Sequence, residues 1–140
     1  MVDVYRSVYG EKDKHVALGL SRFGQLYLAR NDLSRAEQCF RQSVQLFSDT
    51  LSPDNVQTGT ARIDLGGVLL RERRYREAES ELLAGYQIVT PGRNAGLEAA
   101  VNARRDLVSV YEALNIPEKA AKFRAKQTVA EREANPSVAP

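Results

Sequence analysis

The sequence predicts an all-α fold, an α-solenoid of antiparallel helix pairs, and three observations carry that expectation. Equivalent residues recur at a fixed spacing of 42: Phe23-Gly24, Leu65-Gly66 and Leu107-Val108; Tyr27, Leu69 and Tyr111; Ala36, Ala78 and Ala120. A fixed period of this size marks a stacked-repeat architecture. Apolar residues fall at steps of three and four, the helical period, and the alternation of a half-buried strand is absent. Short breaks at Asn31-Asp32, Arg73-Arg74 and Asn115-Ile116 return to the same repeat position and join helices into hairpins.

Along the chain, Val4, Tyr5, Val8 and Tyr9 share one face of a first helix, and Gly10 is a helix stop. From about Asp13 to Arg30 the stripe is Val16, Leu20, Phe23 and Tyr27. Asn31 tolerates the left-handed conformation that closes a helix, and Asp32 caps the next. That helix runs from Leu33 to about Leu51 on Ala36, Phe40, Val44 and Phe47. Ser52-Pro53 opens the following helix, with Ser as the cap and Pro in the first turn. Its apolar side is Ile63, Leu65, Val68 and Leu69. After the Arg73-Arg74 turn, Tyr75 to about Val89 buries Ala78, Leu82, Tyr86 and Val89 until Pro91-Gly92. Asn94 caps a helix to about Leu114, and Pro117 starts the last one, to about Glu133. The chain thus divides into one domain, 1–133, with repeats of about 13–51, 54–90 and 94–133, an unpaired helix over 1–10, and a disordered tail, 134–140.

Composition narrows the function. In 140 residues a net charge of +2 is no basic field, so neither nucleic acid nor an anionic membrane is expected as partner. No run of 18 apolar residues exists, and Asp3 and Arg6 interrupt the N-terminal apolar stretch, so neither a span nor a signal peptide is read. The lone Cys39 forms no internal disulfide and suits a reducing, cytoplasmic setting; in a helix without a nearby His or Cys it reads as a packing residue. One His and one Cys cannot supply the usual catalytic or zinc combinations, and no phosphate loop or nucleophile elbow is present. The expectation is no enzyme, no cofactor and no metal.

The frame Gly24-x-x-Tyr27 with Ala36, repeated as Gly66-x-x-Leu69 with Ala78, resembles the tetratricopeptide repeat. The usual period of that repeat is 34 residues. The longer form here is similar to the 42-residue repeats of kinesin light chains and many bacterial regulatory proteins, with the run from Tyr9 to Ala17 similar to that subtype's linker. By that likeness His15 has a structural role, capping the helix start. The endings Tyr75-Arg-Glu-Ala-Glu79 and Pro117-Glu-Lys-Ala-Ala121 resemble C-terminal arrays of large bacterial signalling proteins, some carrying kinase domains.

The resemblance implies a protein-binding module whose first helices line a concave face. Carried over by repeat position, that face holds Leu18, Arg22, Gln25 and Ala29, then Ile63, Asp64, Gly67 and Arg71, then Asn102, Arg105, Asp106, Ser109 and Glu112. Arg22, Gln25, Asp64, Arg71, Asn102, Arg105 and Ser109 are the candidate contacts to a peptide or partner protein. A Lys/Asn carboxylate clamp of the kind some family members use is not among them.

The ends differ. Repeat three has Val108 for Gly and Arg124 where Phe40 and Leu82 stood, and Lys119, Lys122, Arg124 and Lys126 read as the solvated face of a capping repeat. At the other end, Val2, Val4 and Tyr5 align with Val44, Leu46 and Phe47, so the first helix resembles the second half of an incomplete repeat. Its apolar face implies either a longer array, for example a regulatory segment of a signalling protein such as a bacterial kinase, or a homo-oligomer through Val4, Tyr5, Val8 and Tyr9.

Overall fold

The computed structural model describes residues 13–90 and 97–134, together with Asp3, Val4 and Ser7. Among them stand six α-helices: α1 (Lys14–Ala29), α2 (Leu33–Thr50), α3 (Val56–Arg71), α4 (Tyr75–Val89), α5 (Leu97–Ala113) and α6 (Pro117–Ala134). Asp3, Val4 and Ser7 are helical, but the remainder of the expected N-terminal helix lies outside the described residues, as do Pro91-Gly92, Asn94 and 135–140. Each helix packs on its neighbours in sequence, and α3 also touches α5. That is the contact pattern of helix pairs stacked along one axis, an all-α solenoid.

The three hairpin turns are built alike. Asn31, Arg73 and Asn115 take positive φ values of 59°, 62° and 57°. After each, an N–H reaches back five residues: Asp32 to the Tyr27 carbonyl at 2.9 Å, Arg74 to Leu69 at 2.9 Å and Ile116 to Tyr111 at 2.8 Å. A second bond, from the left-handed residue itself to Leu28, Leu70 or Glu112, completes the Schellman motif. Asn is suited to that conformation. Arg73 is not, and the helix ends there because the repeat register demands it.

The N-termini correct two expectations. Asp13 caps α1 by accepting from the His15 N–H at 2.6 Å, while the His15 ring bonds to the same carboxylate. His15 therefore steadies the cap without being the cap. Helix α3 is capped by Asn55, whose side chain accepts from the Gln57 N–H at 2.9 Å. Ser52 accepts from Asp54 instead, so Ser52-Pro53 belongs to the turn before the helix.

A continuous core runs through all three pairs. Ala36, Ala78 and Ala120 are almost fully buried, at the crossing inside each pair. A Cβ on Gly24 would lie 2.7 Å from Phe40 Cε1, and one on Gly66 would lie 2.5 Å from Leu82 Cγ. Those glycines exist because a bulky residue of the second helix presses onto the first. In repeat three Val108 fills the place of the glycine, and the facing position is Arg124, which turns outward to pair with Glu112.

Candidate functional site

Helices α1, α3 and α5 enclose a groove of about 510 Å³ lined by Gln25, Leu28, Ala29, Gly67, Leu70, Arg71, Arg105 and Asp106. Its residues come from one helix of every repeat. Gly67 is open to it: a Cβ there would meet only Asp106 Oδ2, at 3.3 Å. Next to Gly66, which the core requires, this second glycine lowers the wall of the groove.

Two carboxyls stand at or beside it, Asp106 in its lining and Asp64 next to Gln25. Asp64 and Asp106 hold the same repeat position on α3 and α5, and both are half-buried. Burial raises the Asp64 carboxyl to about 7, against a hydrogen bond from Gln25 that lowers it, with Asp106 and Glu98 pushing it further up. Burial also raises Asp106, opposed by Arg105 and Arg71. Two carboxyls in one poorly solvated place disfavour a second negative charge. Arg105 Nε lies 3.4 Å from Asp106 Oδ1 and its side chain is 62% exposed. Arg71 Nη1 donates to the Leu28 carbonyl at 3.3 Å, tying α3 to the end of α1. Both bonds are long and open to solvent, so both guanidiniums retain donors for an incoming acceptor.

Of the seven candidate contacts, Gln25, Arg71 and Arg105 line the groove, and Asp64 lies beside Gln25 and Asp106 without lining it. Arg22 is exposed on α1 and does not line the groove. Asn102 is half-buried on α5, and Ser109 spends its hydroxyl on the Arg105 carbonyl within the same helix, at 3.3 Å. Ile63 is a correction: it is 2% exposed and packs against Gly85 of α4, in the core and not on the groove. It shares a repeat position with Arg105, whose longer side chain reaches around to Asp106. Leu28 and Leu70 line the groove although neither was among the positions carried over; their signal was their shared place three residues before the left-handed residues Asn31 and Arg73. Glu112 is occupied by Arg124.

Elsewhere, burial raises the Cys39 thiol, which keeps it protonated in the manner of a packing residue. Among the described residues no set of three His, Cys, Asp or Glu side chains is arranged to hold a metal ion, and no helix is long and apolar enough to cross a membrane.

Comparison with known proteins bears on the fold. A family model described as tetratricopeptide repeat matches residues 15–90. No curated protein matches the sequence. Among solved structures, the crystal structure of BtubC (BKLC) from P. vanneervenii superposes with a TM-score of 0.83 at 14% identity, over 96% of this chain and 54% of that one. The likeness is one of fold, and the chain spans about half the length of that protein.

Proposed function

The chain belongs to the tetratricopeptide repeat family, and from that premise we propose that it is a non-catalytic interaction module whose groove between α1, α3 and α5 binds a peptide segment of a partner protein. Tetratricopeptide repeats generally mediate protein–protein interaction. The observation that carries the reading is the groove itself, built from three successive repeats and edged by two solvent-open guanidiniums over half-buried carboxyls. Arg71 and Arg105 suit the carboxylates or backbone carbonyls of an extended or helical peptide. Leu28 and Leu70 supply the apolar contact, Gln25 stands on the α1 wall, and Asp64 lies beside it. The 42-residue spacing of the left-handed residues Asn31, Arg73 and Asn115 supports the kinesin-light-chain-like form of the repeat. The reading takes 1–133 as one interaction domain acting in the cytoplasm.

The test is selection followed by mapping. Peptides selected from a displayed random library against the immobilised chain should slow amide exchange around Gln25, Gly67, Arg71 and Arg105. Protection confined to α2 and α4 would overturn the assignment.

A second reading, self-assembly, is supported by Val4, which is helical and 61% exposed; Tyr5, Val8 and Tyr9 lie outside the described residues. Sedimentation of the wild type and of Val4→Glu/Val8→Glu decides it: a monomer in both removes it.

A further inference from the structure

Repeat register exposes a pair that one repeat completes and the next does not. In repeat two, Arg62 of α3 donates from Nη1 to Glu81 Oε2 of α4 at 3.0 Å. One period on, Arg104 of α5 stands in the place of Arg62, but Phe123 of α6 stands in the place of Glu81. Arg104 is only 6% exposed, and its Nε and Nη2 are buried without an acceptor among the described residues.

Among the described residues its surroundings add positive charge. The Arg104 guanidinium lies 6.0 Å from the centre of the Tyr86 ring, and Lys126 Nζ lies 5.8 Å from that same ring and 5.2 Å from Phe123. Phe123 meets Tyr86 edge-on at 5.7 Å and stacks on Tyr111 at 5.9 Å, so the ring positions are held by the core. Among the described residues no carboxylate forms an ion pair with Arg104 or Lys126. Ring faces attract cations but leave N–H donors unsatisfied, and burying unused guanidinium donors is costly. Nε and Nη2 are the pair of guanidinium atoms whose N–H bonds run parallel, the side that donates to both oxygens of one carboxylate. Repeat two shows which chemistry belongs there, since Glu81 is a carboxylate.

We propose that Arg104, with Lys126 as second cation and Tyr86 and Phe123 as walls, forms a carboxylate-binding site at the junction of α4, α5 and α6. It is distinct from the groove of Arg71 and Arg105 and stands whether or not that groove binds peptide.

The test follows the arginine Nε–Hε resonances of the full chain by NMR. Acetate and an acetylated tetraglutamate amide are titrated in at constant ionic strength, with chloride as the balancing anion. Arg104→Met assigns the signal by its loss. The Arg104 resonance should shift saturably in the millimolar range while Arg62, already paired with Glu81, stays still. A response to both probes identifies a site for free carboxylates; a response to the peptide alone identifies one for acidic side chains on a chain. Lys126→Glu changes an exposed residue, places a carboxylate beside Arg104, and should weaken the response at least tenfold. The proposal is overturned if neither probe moves the Arg104 signal, if chloride moves it equally, or if Lys126→Glu leaves the response unchanged.

Discussion

Replacing Asp64 by Asn should stabilise the protein at alkaline pH and do little in acid. Burial pushes the carboxyl up to about 7 in the folded state, against 3.8 for an ordinary aspartate. Between those values the unfolded chain releases the Asp64 proton while the folded chain keeps it. Folding therefore becomes less favourable as pH rises from about 4 to 7, and the penalty is complete above 7. About three pKa units at 1.36 kcal/mol each set a ceiling of about 4 kcal/mol. Asp64 is half-buried, so solvent screening reduces the expected effect to about 2 kcal/mol. Asn retains a carbonyl to accept from Gln25 and cannot ionise, so it removes the penalty while keeping the bond. Urea unfolding followed by circular dichroism at pH 4 and pH 8 measures it. Asp64→Asn should match the wild type within about 1 kcal/mol at pH 4 and exceed it by about 2 kcal/mol at pH 8. A difference that is flat with pH, or a less stable variant at pH 8, would refute burial as the cause of the shift.

Three further outcomes are expected from the same unfolding assay. Gly66→Ala drives a Cβ to 2.5 Å from Leu82 Cγ and should cost about 1–3 kcal/mol, whereas Gly67→Ala meets only the end of the Asp106 side chain and should gain up to about 1 kcal/mol in helix propensity; equal effects would contradict the packing account. Arg73→Gly relieves a left-handed φ of 62° and should stabilise by about 0.5–1 kcal/mol. Asn55→Ala should cost about 1 kcal/mol as the loss of a cap and Ser52→Ala less than half of that, the reverse order restoring Ser52 as the start of α3.

Most of the fold was legible because the repeat states each structural requirement three times. Ala36, Ala78 and Ala120 marked the crossings, and Gly24 and Gly66 marked where Phe40 and Leu82 press in. Arg73 was legible as a turn only through register, since arginine has no preference for the left-handed region. Asn55 was hidden by Ser52-Pro53, a stronger start signal two to three residues upstream; Ser52 and Asn55 each accept from the N–H two residues on, and composition does not say which of the two begins the helix. At the groove, Gln25, Asp64, Arg71 and Arg105 followed from repeat position. Ile63 did not, because α3 is a central helix buried on several sides and polarity alone no longer separates its groove face from its α4 face. The unpaired Arg104 was legible only by comparing partners across repeats: Arg62 with Glu81 is an ordinary pair, and Phe123 in the place of Glu81 is informative only once the two helices are known to touch there.

The affinity of a groove-selected peptide for Arg71→Glu/Arg105→Glu tests the account most directly. Fluorescence anisotropy should show acidic peptides binding the wild type and losing at least tenfold, about 1.4 kcal/mol, on the double variant, with circular dichroism unchanged. Binding retained within twofold would contradict the assignment of the α1–α3–α5 groove as the partner site.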